Sequence, residues 1–96
     1  MKLSSEDIAA RLSDLPGWAL RENALVRQFT FPGFPDAVAF VTRLAFDAEA
    51  HDHHPDLVVN FKRVTVMWST HSEGGVTEKD VAGARQADAI ARATCV

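Results

Sequence analysis

Ninety-six residues, 47% hydrophobic and 24% charged with five glycines and four prolines, have the makings of one globular domain spanning 1–96. A formal charge of −3 argues against nucleic-acid binding, which ordinarily needs a basic excess, and no run of about 18 apolar residues offers a membrane span. The single cysteine, Cys95, excludes an internal disulfide, and the acidic opening Met1 to Asp7 has no apolar signal core, so a cytoplasmic protein is expected.

In chain order, Ser4-Ser5-Glu6-Asp7 has the form of a capped helix start, followed by Ile8, Leu12 and Leu15 at helical spacing and stopped by Pro16-Gly17. Trp18 to Arg21 and Leu25 to Phe31 are predicted strands joined across Glu22-Asn23. Pro35 suits the first turn of a second helix, whose apolar stripe is predicted at Phe34, Val38, Val41, Ala45 and Ala48, widened by Phe40 and Leu44. Asp36, Arg43 and Asp47 fall opposite, and Pro55 is the expected helix stop. Leu57 to Phe61 and Val64 to His71 alternate as strands reversing near Lys62-Arg63. Ser72 to Gly75 is a flexible connection, and Thr77-Glu78-Lys79-Asp80 repeats the capping pattern before a third helix. The order α-β-β-α-β-β-α, with short hairpins, predicts an α+β two-layer sandwich: a four-stranded antiparallel sheet with helices on one face.

Two counts stand out. Six of fifteen alanines lie between Ala82 and Ala93, so the last helix carries little bulk. Ala82, Ala84, Ala87, Ile90 and Ala91 are therefore predicted to form a low-relief surface for a homodimer or homotetramer, with a sheet edge as the alternative. All four histidines lie between His51 and His71. Turning the second hairpin about Lys62-Arg63 sets Phe61 opposite Val64, Leu57 opposite Trp68 and His54 opposite His71, where facing Cβ atoms stand about 4.5–5.5 Å apart. A lone histidine is ordinarily a surface or capping residue. Three imidazoles on one rim, with Glu49 one helical turn before His53, suit general acid–base chemistry near neutral pH. Asp80 occupies a capping-box position and needs no further role. A metal site from His51, His53, Glu49, Asp52 and Asp56 is the rival chemistry, disfavoured because helical residues two apart point in different directions. Cys95, with no histidine beside it in sequence, is a poor nucleophile candidate.

The spacing Glu49-x3-His53-His54-Pro55-x5-Phe61-x9-His71-x8-Asp80, with Asp52 to Asp56 and Ser69-Thr70-His71 as context, resembles the signature of the pterin-4a-carbinolamine dehydratase family. The resemblance covers the chain from about Trp18 onward. It implies an α+β sandwich that removes water from 4a-hydroxytetrahydropterin to give quinonoid dihydropterin, in recycling of tetrahydrobiopterin. It also implies no metal or organic cofactor and assembly as dimers or tetramers, with the pterin as small-molecule partner and neither nucleic acid nor membrane. By resemblance, His53, His54 and His71 are catalytic. The pterin site is lined by Glu49, His53, His54, Pro55, Thr70, His71, Ser72, Glu73 and Asp80. Some members have a tryptophan two residues after the proline, where this chain has Leu57. Some also serve as dimerisation cofactors of a transcription factor, so a protein-binding module is the competing expectation.

Overall fold

In the computed structural model, which describes residues 1–94, the chain starts as its capping residues dictate. The Ser4 hydroxyl accepts the Asp7 amide at 3.1 Å and opens α1 (Ser5–Leu12). Strands β1 (Ala19–Arg21) and β2 (Ala24–Thr30) form a hairpin closed by Arg21 opposite Ala24. Glu22 and Asn23 both take left-handed φ, 47° and 66°, the geometry of a primed two-residue turn. Helix α2 (Phe34–Ala50) follows, then β3 (Asp56–Asn60), β4 (Arg63–Trp68), a 3₁₀ turn over His71–Glu73, and α3 (Glu78–Thr94). The sheet is antiparallel throughout, in the order β1-β2-β4-β3. Alternation along β2 and β4 buries Leu25, Phe29, Val64, Val66 and Trp68 on one face, where the core gathers with Phe40 and Leu44 of α2 and Ala84 and Ala87 of α3. The expected α+β sandwich is thus the observed architecture. Cys95 lies outside the described residues.

Four local expectations are corrected. First, the second hairpin turns at Phe61-Lys62, one residue early, with Asn60 opposite Arg63 and Phe61 at φ 56°. Leu57 therefore faces Val66, not Trp68, and the same register would set His54 against residue 69 rather than His71. The Lys62 carbonyl accepts the Phe31 amide at 2.9 Å, extending the β2–β4 interaction into the turn. Because the partner changes by two positions, Leu57 and Val59 keep the face expected of them, whereas Phe61 is expelled to solvent.

Second, the buried line of α2 is Ala37, Phe40, Leu44 and Ala48, while Phe34 and Val38 are exposed. Small Ala37 and Ala48 flank Phe40 and Leu44 on the buried line, and the face holding Phe34 and Val38 is turned to solvent. Third, Ala84, Ala87 and Ala91 face the chain's own core. Of the predicted α3 surface, Ala82 stays exposed and Ile90 half-buried, while the low relief of the other three lets the helix pack closely on its neighbours. Besides Met1 and Leu20 of β1, the exposed large apolar side chains belong to α2 (Phe34, Val38, Phe46) and to β3 and its turn (Val58, Val59, Phe61). Fourth, the Ser72–Gly75 connection is closed by paired backbone bonds, Thr70 N–H to Gly75 O at 2.9 Å and Gly75 N–H to Thr70 O at 3.3 Å.

Candidate active site

The site is built where α2 ends. Pro55 is not the stop: the helix closes at Ala50, and Asp52 adopts left-handed φ of 50°. The Asp52 amide returns to the Glu49 carbonyl and the His53 amide to the Ala48 carbonyl at 3.1 Å, the paired bonds of a Schellman ending. Aspartate tolerates this backbone better than most side chains. His53 and His54 therefore leave the helix and go to different partners.

His53 turns inward. Its Nε2 donates to Asp80 Oδ1 at 2.6 Å, and its ring lies on the Trp68 indole with centroids 5.4 Å apart and planes 19° off parallel. Asp80 is fully buried and holds this bond from the first turn of α3. Its other oxygen accepts the Thr77 amide and the Thr70 hydroxyl, both at 2.8 Å. The Thr77 hydroxyl in turn accepts the Lys79 amide at 3.2 Å and lies 2.9 Å from that of Thr70. Asp80 thus serves as cap with one oxygen and as histidine anchor with the other. A carboxylate only accepts, so the proton between them belongs to His53 Nε2, and in the neutral ring Nδ1 carries the lone pair.

His54 turns outward, donating Nε2 to Glu49 Oε1 at 2.8 Å with both side chains more than half exposed. Glu49 thus pairs with His54 and not with His53. His51 is spoken for separately: Nδ1 donates to the Asp47 carbonyl at 2.9 Å and Nε2 lies 3.2 Å from the Gln86 amide. With His51, His53 and His54 each sent to a different partner, the described residues hold no group of three or more metal-ligating side chains.

His71 opens onto a cavity of about 630 Å³ lined also by Arg21, Asn23, Asp56, Met67 and Ser69. Met67 and Ser69 alternate with Trp68, so this cavity is on the helix-free side of the strand whose other side carries His53. His71 makes no direct hydrogen bond to His53 or His54 among the described residues. The three still share one end of the sheet, because Asp56 lines the His71 cavity and lies two residues from His54, a span of at most about 7 Å along the chain. Ser72 and Glu73 border a different hollow, beside Met1, Lys2 and Asp7, and Glu73 lies 3.4 Å from the N-terminal amine. Thr70 is buried and committed to Asp80.

The comparisons agree with this frame. A family model described as pterin 4 alpha carbinolamine dehydratase matches residues 1–90. The chain belongs to that family. A Chloroflexus aurantiacus protein provisionally named pterin-4-alpha-carbinolamine dehydratase is 47% identical over 89 residues, covering 93% of this chain and 96% of its own. A Sulfolobus acidocaldarius protein with the same provisional name is 44% identical over 90 residues, 94% of this chain and 99% of its own. The crystal structure of a Brucella melitensis transcriptional coactivator/pterin dehydratase is similar with a TM-score of 0.92 at 39% identity, covering 95% and 99% of the two chains. A pterin dehydratase-like RuBisCO assembly factor of the alpha-carboxysome shares the fold, with a TM-score of 0.65 at 23% identity over 77% of this chain and 86% of that one.

Sequence reasoning missed Trp68 as a neighbour of His53, the reach of the Thr77–Asp80 cap to Thr70 and His53, and Arg21, Asn23 and Asp56 around His71. A glycine inside a helix costs about 1 kcal/mol relative to alanine, so Gly83 was the one local signal of an unusual contact.

Proposed function

We propose that the protein dehydrates 4a-hydroxytetrahydropterin to quinonoid dihydropterin by histidine acid–base catalysis, without metal or organic cofactor, in the recycling of a tetrahydropterin. The observation that supports this best is the His53–Asp80 pair. A buried carboxylate that accepts from Nε2 leaves Nδ1 as the basic atom and stabilises the imidazolium formed when that atom takes a proton. In the proposed step His53 Nδ1 takes the proton from N5 of the pterin, and the freed electron pair forms the C4a=N5 bond. The C4a–O bond breaks as protonated His71 delivers its proton to the departing oxygen, which leaves as water. His53 and His71 lie to either side of the end of β4, an arrangement suited to a flat ring placed over that end. His54, held by Glu49 at the rim, orients the ring.

The direct test is a dehydration assay on freshly prepared 4a-hydroxytetrahydropterin, with and without chelator. Catalysis unaffected by chelator is expected; activity that vanishes with chelator and returns with zinc would replace this mechanism with a metal-based one. Self-association as a dimer or tetramer is also proposed, through the exposed apolar side chains of α2 or the β3 edge, and a stable monomer in sedimentation at micromolar concentration would refute it. The Brucella relative's name joins dehydratase to transcriptional coactivator. For this chain a binding role is separable, because it would survive loss of the histidines. No helix among the described residues is long and apolar enough to cross a membrane, and a cytoplasmic location is proposed.

A further inference from the structure

Trp68 breaks one local rule and Gly83 another. The indole Nε1 is buried with no hydrogen-bond partner among the described residues, a state most native structures avoid. Gly83 sits inside α3, where alanine would favour the helix. The two irregularities are one contact: a Cβ at Gly83 would stand 2.7 Å from the Trp68 ring atoms Cδ2 and Cε2. The absent side chain makes room for the indole, whose neighbours also include the His53 ring, 5.4 Å away and 19° off parallel. An aliphatic residue at 68 with alanine at 83 would fill the core without orphaning a donor. Paired departures of this kind mark places where something other than stability is served.

We infer that Trp68, seated against Gly83, is the positioning residue for His53. Asp80 fixes one ring atom, Nε2, which lies across the ring from the bond to Cβ. Pinned at those two ends, the imidazole is still free to roll about the line joining them, and that roll swings Nδ1 through an arc. The flat indole removes the roll. Asp80 thereby selects which nitrogen is basic, and Trp68 selects the direction in which it points. Orientation of a reacting group is worth large factors in rate, with misplacement by about 1 Å costing on the order of 100-fold.

The catalytic half of this inference rests on the dehydratase reading; the structural half does not. Its test uses W68L/G83A, in which loss of the indole leaves room for the new methyl group, and W68F, which keeps an aromatic face without the N–H. Ring-proton NMR of His53 reads the stack through the upfield shift that an indole face imposes, and ¹⁵N shifts read the tautomer. In W68L/G83A the upfield shift is expected to disappear while the Nε2–H tautomer stays, with turnover falling about 10- to 100-fold and KM changing little. W68F is expected to retain most of both. A folded W68L/G83A that keeps wild-type turnover, or His53 ring-proton shifts unchanged from wild type, overturns the positioning role. If that double variant fails to fold, W68F decides: loss of turnover with the upfield shift intact overturns it. A wild-type protein without dehydratase activity refutes the proposed function instead, and the NMR shifts alone then judge the stack.

Discussion

His53 and His54 are neighbours in sequence and opposites in setting. The first has a side chain only 15% exposed and is bonded to a carboxylate with no exposure at all, whereas the second is 56% exposed and bonded to one exposed at 80%. The contrast comes from the backbone: a helix that ended only at Pro55 would have set the two side chains about 100° apart on its surface. The Schellman ending releases both from the helix, and one side chain turns to buried Asp80 while the other turns to exposed Glu49. Water competes at the outer pair and not at the inner one. The inner pair therefore governs proton position, and the outer pair contributes only what a screened surface contact can.

The largest break in that comparison is H53A, expected to lower turnover by about 10²–10⁴-fold with the fold intact; H71A should fall in the same range. Full activity in both variants would leave the histidines without a catalytic part. Next comes D80N, which keeps an oxygen for Thr77 and Thr70 but aims an amide N–H at His53. His53 Nε2 must then accept, the proton moves to Nδ1, and the basic atom is lost. Turnover should drop on the order of 10²-fold or more with melting little changed, and ¹⁵N shifts should show the inverted tautomer. D80A removes the cap as well and should cost about 1–3 kcal/mol of stability, read from denaturant unfolding.

H54A and E49Q sharpen the comparison from the exposed side. Each is expected to raise KM by roughly 3- to 10-fold with kcat nearly unchanged, the mark of a group that binds ground and transition states alike. The smallest effect lies on the solvent side of the same helix start. The Arg11 guanidinium hydrogen-bonds Glu78 at 2.6 Å, which holds its carboxyl below the usual glutamate range. A lowered folded-state value means that its stabilising share is complete above the ordinary range and is lost as pH falls through the lowered one. E78Q should flatten that acid limb in a melting-temperature profile and leave activity at neutral pH untouched.

What the sequence disclosed follows the range of each interaction. The Glu22-Asn23 turn and the Ser4 and Thr77 caps are set by residues within three positions, and all were legible. The second turn was not, because Phe61 is a bulky residue in left-handed backbone, which no turn preference announces. Face survived that error and register did not, since the partner of Leu57 moved by two. Asp80 was half legible. Its cap is local, but its bond to His53 crosses 27 positions and depends on how α3 lies over the end of α2. The Trp68–Gly83 contact left only a misplaced glycine as its trace.

Asp80 ties the start of a helix to the site by a single carboxylate, and this has a consequence for thermal behaviour. Helix ends open locally at lower free energy than the whole domain unfolds. Each time the first turn of α3 frays, Thr77 and Thr70 lose their acceptor and His53 loses its anchor in the same event. On the proposed mechanism, the catalytic rate would then track how often that one turn is closed. Inactivation on warming should begin before the global transition, in step with amide exchange at Thr77 and Asp80. A substitution that tightens the turn without touching the site should raise the temperature at which activity is lost.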